Sequence, residues 1–189
     1  KSCYEKAIEI NPNHASSHNN LGVAFNKLGE LQKAKSCYEK AILIQSNYID
    51  AHNNLGNTLR RLGELQKAKS CYEKAIEINP KYEIAHNNLG LVFSGLGELQ
   101  KAKSCYEKAI EINPKYLNAY WNLHSFASNT DEALIILKKL YNIDNKFFKA
   151  KSIISALQGF KGNFKDFDAL LTSTDANHSY TRSIKWVFS

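Results

Sequence analysis

The 189-residue sequence has no methionine, only three prolines and no apolar run long enough to cross a bilayer. Its first ten residues, KSCYEKAIEI, lack the apolar stretch of a secretory signal. CxxC and HExxH spacings are both missing, which removes the common zinc signatures. The nine glycines stand singly and do not gather into a phosphate-cradling loop. No Cys–His or Ser–His arrangement stands apart as a nucleophile with its base. These absences point away from an enzyme: no catalytic residue, no metal ligand and no cofactor is expected.

The charge is +7 and the isoelectric point about 9.1, but the charges are mixed. In KAKSCYEKAIEINPK, Lys and Glu alternate along helical faces, with Lys69 four residues before Glu73. Such pairs contribute a few tenths of a kcal/mol each on a solvated face. A mixed face lacks the basic stripe of a phosphate binder, so neither nucleic acid nor membrane is expected as a partner. The cysteines, Cys3, Cys37, Cys71 and Cys105, recur every 34 residues. Equivalent positions in stacked repeats lie about 10 Å apart, whereas a disulfide needs Cα atoms within about 7 Å. Free, half-buried thiols in a reducing, cytoplasmic compartment are therefore expected.

The 34-residue period organises the chain. LGELQKAKSCYEKAIEINPKY occurs at Leu62–Tyr82 and again at Leu96–Tyr116, and its first fifteen letters recur at Leu28–Ile42. HNNLG occurs at His18–Gly22, His52–Gly56 and His86–Gly90. Each period reads as helix, turn, helix. His52, Leu55 and Leu59 form the apolar face of a first arm, and Gly63 breaks it. Leu65, Ala68, Tyr72, Ala75 and Ile76 form the stripe of a second arm, which Asn79-Pro80 ends. Gly56 and Ala68 are expected where the two arms cross, with Tyr72 and Ala75 packing on the next hairpin. One hairpin cannot cover both stripes, so stacking is required.

The order Leu55-Gly56, Leu59, Gly63, Leu65, Ala68, Tyr72, Ala75, Pro80 resembles the tetratricopeptide repeat. His18, His52 and His86 stand in that family's usual Trp column, and Ser46 replaces one terminating Pro. The three His would lie too far apart to share a zinc ion. The resemblance implies an all-α fold: a right-handed superhelix, or α-solenoid, of stacked antiparallel hairpins. The expected organisation is a second helix of a truncated repeat at 1–14, repeats at 15–48, 49–82 and 83–116, a degenerate repeat at 117–147, a diverged hairpin at 148–177 and a capping helix at 178–189. In the degenerate repeat, Tyr120, Leu123, Ala133, Leu137 and Leu140 keep the pattern across a turn three residues shorter. His124 takes the Gly column there and is expected to loosen the packing. Ala150, Ile154, Gly162, Phe164 and Phe167 fit the diverged hairpin, and Tyr180, Ile184 and Val187 the cap. Lys1–Ile8 nearly repeat Lys35–Ile42, so the chain reads as a piece of a longer protein of bacterial type.

In this family the first helices line a concave surface, so the resemblance implies a protein or peptide partner held in that groove. The second arms are nearly invariant, while the first arms vary at Val23, Asn57 and Leu91, at Asn26, Arg60 and Ser94, and at Lys27, Arg61 and Gly95. Asn19 and Asn20, Asn53 and Asn54, and Asn87 and Asn88 recur with the period, and Asn122 continues the second column. An amide offers donors and an acceptor together and can pair with a peptide backbone. The Asn20, Asn54, Asn88, Asn122 column is similar to the asparagine ladder of O-linked N-acetylglucosamine transferases. The alternative is that these amides bridge neighbouring helices. Asn57, Arg60, Arg61, Leu91 and Trp121 are the candidates for selectivity. Lys27, Arg60 and Arg61 either take an acidic segment or simply complement a helix C-terminus. A carboxylate clamp of co-chaperone type wants Lys where Asn19, Asn53 and Asn87 stand, and so is not expected. Two further readings remain: a substrate-recruiting arm of a methyltransferase or sulfotransferase, suggested by residues 131–189, and self-association through Tyr4, Ala7 and Ile8 of the truncated helix.

Overall fold

The computed structural model describes residues 2–145 and 148–159. The chain forms two compact units, Lys1–Ile112 and Asn113–Ser189. The described residues are helical, with no strand among them. No helix among them is long and apolar enough to cross a membrane.

The first unit carries α1 (Ser2–Ile10), α2 (Ala15–Lys27), α3 (Leu31–Ile44), α4 (Ile49–Arg61), α5 (Leu65–Ile78), α6 (Glu83–Gly95) and α7 (Leu99–Ile112). The pairs α2–α3, α4–α5 and α6–α7 are hairpins; α3 packs on α4 and α5 on α6, so each hairpin covers the next. Inside each hairpin the turn is made by Gly29, Gly63 or Gly97, at φ +78° to +79°, the left-handed region where a Cβ is penalised. In the central copy Gly63 N–H donates to the Arg60 carbonyl at 3.1 Å and Glu64 N–H to the Leu59 carbonyl at 2.9 Å. That is a Schellman closure, and it satisfies carbonyls that the helix end leaves open.

The core repeats with the sequence. Ala34, Ala68 and Ala102, Ala41, Ala75 and Ala109, and the rings of Tyr38, Tyr72 and Tyr106 are all buried. Burial of one such aromatic contributes about 1.5–3 kcal/mol. The structure adds a contact within the hairpin. Tyr72 lies on Gly56 of its own hairpin, so the glycine makes room for a ring as well as for a helix crossing. A Cβ on Gly56 would stand 2.7 Å from Tyr72 Cε1, and Gly22 with Tyr38 and Gly90 with Tyr106 show 2.6 Å each.

The His column has a structural task. His18 Nε2 meets the Pro12 carbonyl at 2.9 Å, His52 the Ser46 carbonyl at 2.8 Å and His86 the Pro80 carbonyl at 3.0 Å. Each ring thus ties its helix to the turn six residues earlier. Because the bond uses a main-chain oxygen, Ser46 serves as well as proline.

The second unit carries α8 (Leu117–Leu123), a single 3-10 turn at His124–Phe126, α9 (Thr130–Ile143) and α10 (Phe148–Gly159). α8 packs on α9, and α9 on α10. α8 has 7 residues where α2, α4 and α6 have 13. His124 cannot take a ring against its Cβ as glycine does, and the Tyr column holds Leu137 instead, fully buried. The α-helix stops at Leu123, while His124, Leu137 and Leu140 are all buried. Tyr120 keeps the turn tie, donating its hydroxyl to the Pro114 carbonyl at 3.3 Å. Ala150 and Ile154 lie in α10, whereas Gly162, Phe164, Phe167 and the capping stripe lie outside the described residues.

Candidate functional site

In the first unit the first-arm helices touch one another directly, α2 on α4 and α4 on α6. They stand side by side as one layer, each paired with its second-arm helix. Most of the candidate residues lie in these three helices.

The paired asparagines are deeper than a solvated ladder. Asn19, Asn53, Asn87 and Asn88 are buried, and Asn20 and Asn54 are half-buried. Asn54 Nδ2 donates to Asn19 Oδ1 at 3.0 Å, and Asn88 Nδ2 donates to Asn53 Oδ1 at 2.9 Å. The bridge between neighbouring helices is therefore present. Weaker contacts of 3.4 Å join Asn19 to Asn20 and Asn87 to Asn88. Buried amides left unpaired would each cost about 1–3 kcal/mol, so this pairing explains why a mediocre helix former persists mid-helix. Each amide has two donors and one acceptor oxygen, and the bridge uses one donor of Asn54. The Asn54 oxygen accepts nothing among the described residues.

Beyond the asparagines, α4 carries a polar group its sister helices lack. Asn57 is half-buried and accepts a hydrogen bond from the Tyr72 hydroxyl at 2.9 Å. Arg60 is half-buried, and its charge acts on the hydroxyls of Tyr72 and Tyr106. Burial pushes the Tyr72 hydroxyl up to about 12, and the Arg60 charge draws it partly back. Arg61 is exposed, but it reaches across the stack. Its Nη1 donates to the Asn26 side-chain oxygen, and to the Asn26 carbonyl at 3.1 Å. Leu91, in the Asn57 column of α6, is half-buried.

Trp121 and Asn122 belong to the second unit, and both are half-buried there. Trp121 lies against the His124 ring, with centroids 4.7 Å apart and planes tilted by 39°. His124 Nδ1 donates to the Trp121 carbonyl, and burial holds the imidazole below its ordinary pKa, which keeps it neutral.

One residue that matters escaped the sequence reading. Thr58 is fully buried; its hydroxyl accepts from Asn26 Nδ2 at 2.7 Å and donates to the Asn54 carbonyl at 3.0 Å. Asn26 sits in one of the variable columns, and the Ala24, Thr58, Val92 column beside it was the available signal. The repeated cysteines are free: Cys3 is exposed, and Cys37, Cys71 and Cys105 are half-buried. Burial pushes the Cys71 and Cys105 thiols up to about 11.

A family model described as "Tetratricopeptide repeat" matches residues 13–81 and 47–115, together more than half of the chain. A comparison with curated protein sequences returned no match. Among solved structures, a crystal structure of MamA is 29% identical with a TM-score of 0.67, over 77% of this chain and 87% of that one. YrrB, described as a TPR protein with an unusual peptide-binding site, is 22% identical with a TM-score of 0.67, over 96% of this chain and 97% of that one. The first TPR of Spaghetti (RPAP3), bound to the HSP90 peptide SRMEEVD, is 26% identical with a TM-score of 0.56, over 58% of this chain and 86% of that one.

Proposed function

The chain belongs to the tetratricopeptide repeat family, and from that premise we propose that its first unit is a protein–protein interaction module whose inner lining takes an extended peptide. The function is binding, with no reaction of its own. The observation that carries this reading is the contrast between arms. LQKAKSCYEKAIEI is the same in α5 and α7, while α2, α4 and α6 differ at Val23, Asn57 and Leu91 and at Asn26, Arg60 and Ser94. A scaffold held constant behind a lining that changes is what a selective binding face needs. The peptide bound to Spaghetti (RPAP3) supports the same direction. In this reading Asn20, Asn54 and Asn88 use amide capacity not spent on their neighbours to hold the peptide main chain. Asn57, Arg60, Arg61 and Leu91 select among side chains.

The test uses positions that the stack does not need. Asn20 and Leu91 are half-buried, and Asn20 takes part only in a 3.4 Å contact. An unbiased peptide library is presented to the wild-type chain and to an Asn20→Ala, Leu91→Glu variant, with helicity and melting temperature measured for both. The expected result is peptide binding by the wild type that the folded variant loses. Equal binding by the two proteins would sink the reading.

A further inference from the structure

One run of ten letters occurs three times in this chain. KSCYEKAIEI stands at residues 1–10, at Lys69–Ile78 and at Lys103–Ile112. In α5 and α7 its tyrosine is covered: Tyr72 is 0% and Tyr106 1% exposed, each with a first-arm glycine against its ring. In α1 the same tyrosine, Tyr4, is 37% exposed. Ile10 is 86% exposed, where Ile78 and Ile112 are half-buried. Ala7 is half-buried, where Ala75 and Ala109 have no exposure. The deficit is not general, because the junction of α1 with α2 is built as in the later copies. α1 packs on α2, Asn13 N–H donates to Asn11 Oδ1 at 3.1 Å as Lys81 N–H does to Asn79 Oδ1 at 3.0 Å, and His18 ties to the Pro12 carbonyl. What α1 lacks is the first-arm helix that covers Tyr72 and Tyr106. A second group, on α2, is unspent. Asn54 and Asn88 each give an amide hydrogen to the first Asn of the preceding first arm, whereas Asn20 Nδ2 donates to nothing among the described residues.

We propose that α1 and α2 together seat an amphipathic helix of a partner protein, which presents an Asn and, three residues later, a Gly. Both requirements follow from contacts the stack already makes. Tyr38 lies on Gly22, where a Cβ would stand 2.6 Å from the ring, so a helix that covers Tyr4 in the same way needs a glycine there. Asn54 donates to Asn19 at 3.0 Å, so a helix beside Asn20 needs an amide oxygen. Moved back by one period, these two contacts fall on a single helix and at a single spacing, that of Asn19 and Gly22. Two unspent groups on different helices thus ask for the same occupant. The mode is a helix laid on an apolar face, with side-chain size at the crossing setting the choice. A second copy of the chain does not meet the requirement. α1 contains no glycine, and Gly22, Gly56 and Gly90 are already covered by Tyr38, Tyr72 and Tyr106. The seat is independent of the peptide-binding reading, since Asn20 spends one amide hydrogen here, as Asn54 does, and keeps the other.

The probe is a synthetic peptide with the α4 sequence, Tyr48–Gly63, stapled as a helix. Its affinity for the full chain is measured by titration calorimetry and its place by hydrogen exchange. The expected result is slowed exchange across Tyr4–Ile10 and an affinity that falls about tenfold when the peptide carries Gly56→Leu. Asn53→Ala in the peptide and Asn20→Ala in the protein should each weaken binding, and together no more than either alone, as a contact between the two requires. In the protein, Tyr4→Leu removes the ring but keeps a good helix former, with folding checked by circular dichroism. That variant should no longer distinguish glycine from leucine in the peptide. A peptide that leaves exchange in α1 unchanged, or one that binds equally well with Gly56→Leu, overturns the proposal. So does a wild-type chain that dimerises through α1 and excludes the peptide, because the occupant is then a second copy.

Discussion

The hairpin α4–α5 and the hairpin α8–α9 meet the same packing problem with different residue pairs. In the first, Gly56 gives its Cβ volume to the ring of Tyr72, and the first arm runs 13 residues to a glycine turn. In the second, His124 and Leu137 replace that pair, and the α-helix stops after 7 residues. The ring-on-glycine contact is therefore tied to helix length as well as to packing. Where the glycine is lost, the partner shrinks, the arm shortens, and a buried imidazole fills the space beside Trp121.

The comparison breaks most severely at the glycine itself. Gly56→Ala is expected to destabilise the first unit by about 1–3 kcal/mol, because its Cβ would overlap the Tyr72 ring. Ala68→Leu, at a position with no exposure, belongs in the same range. Denaturant titration of Gly56→Ala, Tyr72→Leu and the double variant measures the coupling. The cost of the alanine should shrink once the ring is gone. A fixed cost in both backgrounds would separate glycine from ring and dissolve the comparison.

A smaller loss is expected from Thr58→Val, about 1–2 kcal/mol, since Asn26 Nδ2 would lose its partner 2.7 Å away. Thermal melting measures this directly, and an unchanged melting temperature would mean that the tie between α2 and α4 contributes nothing. The second unit offers a pH test. Burial lowers the His124 pKa from 6.5, so the unfolded chain takes up a proton before the folded one does. Stability of that unit is then full above about 6.5 and falls as the pH drops below it. Hydrogen exchange of α8 and α9 at pH 5.5 and 7.5 should show the loss in wild type and its absence in His124→Gln. Glu64 and Glu98, whose hydrogen bonds to lysines lower their pKa from 4.5, act only below that value, so the two windows stay apart. The smallest effect is kinetic: at neutral pH a thiol reagent should modify exposed Cys3 well before Cys71 and Cys105, whose thiolates form only near pH 11.

Much of the fold could be read from the letters because its determinants are local and repeat. Gly63 at positive φ, Asn79-Pro80 at the end of α5 and the alanine and tyrosine stripes each act within one hairpin, and three copies display them in register. What the letters left undecided depends on distances across the stack. Asn54 meets Asn19 and Arg61 meets Asn26, both 35 residues away, because adjacent first arms are offset by one position beyond the repeat. A 34-residue comparison places those residues in different columns and never sets them side by side. The His column was legible as a departure from Trp, but its purpose depends on a main-chain oxygen, which no letter announces. The inner lining could be placed by resemblance, yet the candidates on it are divided: Asn53 and Arg61 are spent on the stack, whereas Arg60 keeps a donor unspent.

The asparagine pair has one more consequence, which concerns growth. The middle repeat carries a hook and an eye: its second Asn, Asn54, gives a hydrogen to the copy before it, and its first, Asn53, takes one from the copy after it. A unit that carries both halves of its own fastener can be inserted, deleted or exchanged in whole 34-residue lengths, and every new joint is one the chain already knows how to make. The length of this array can change by recombination without any new interface having to be invented.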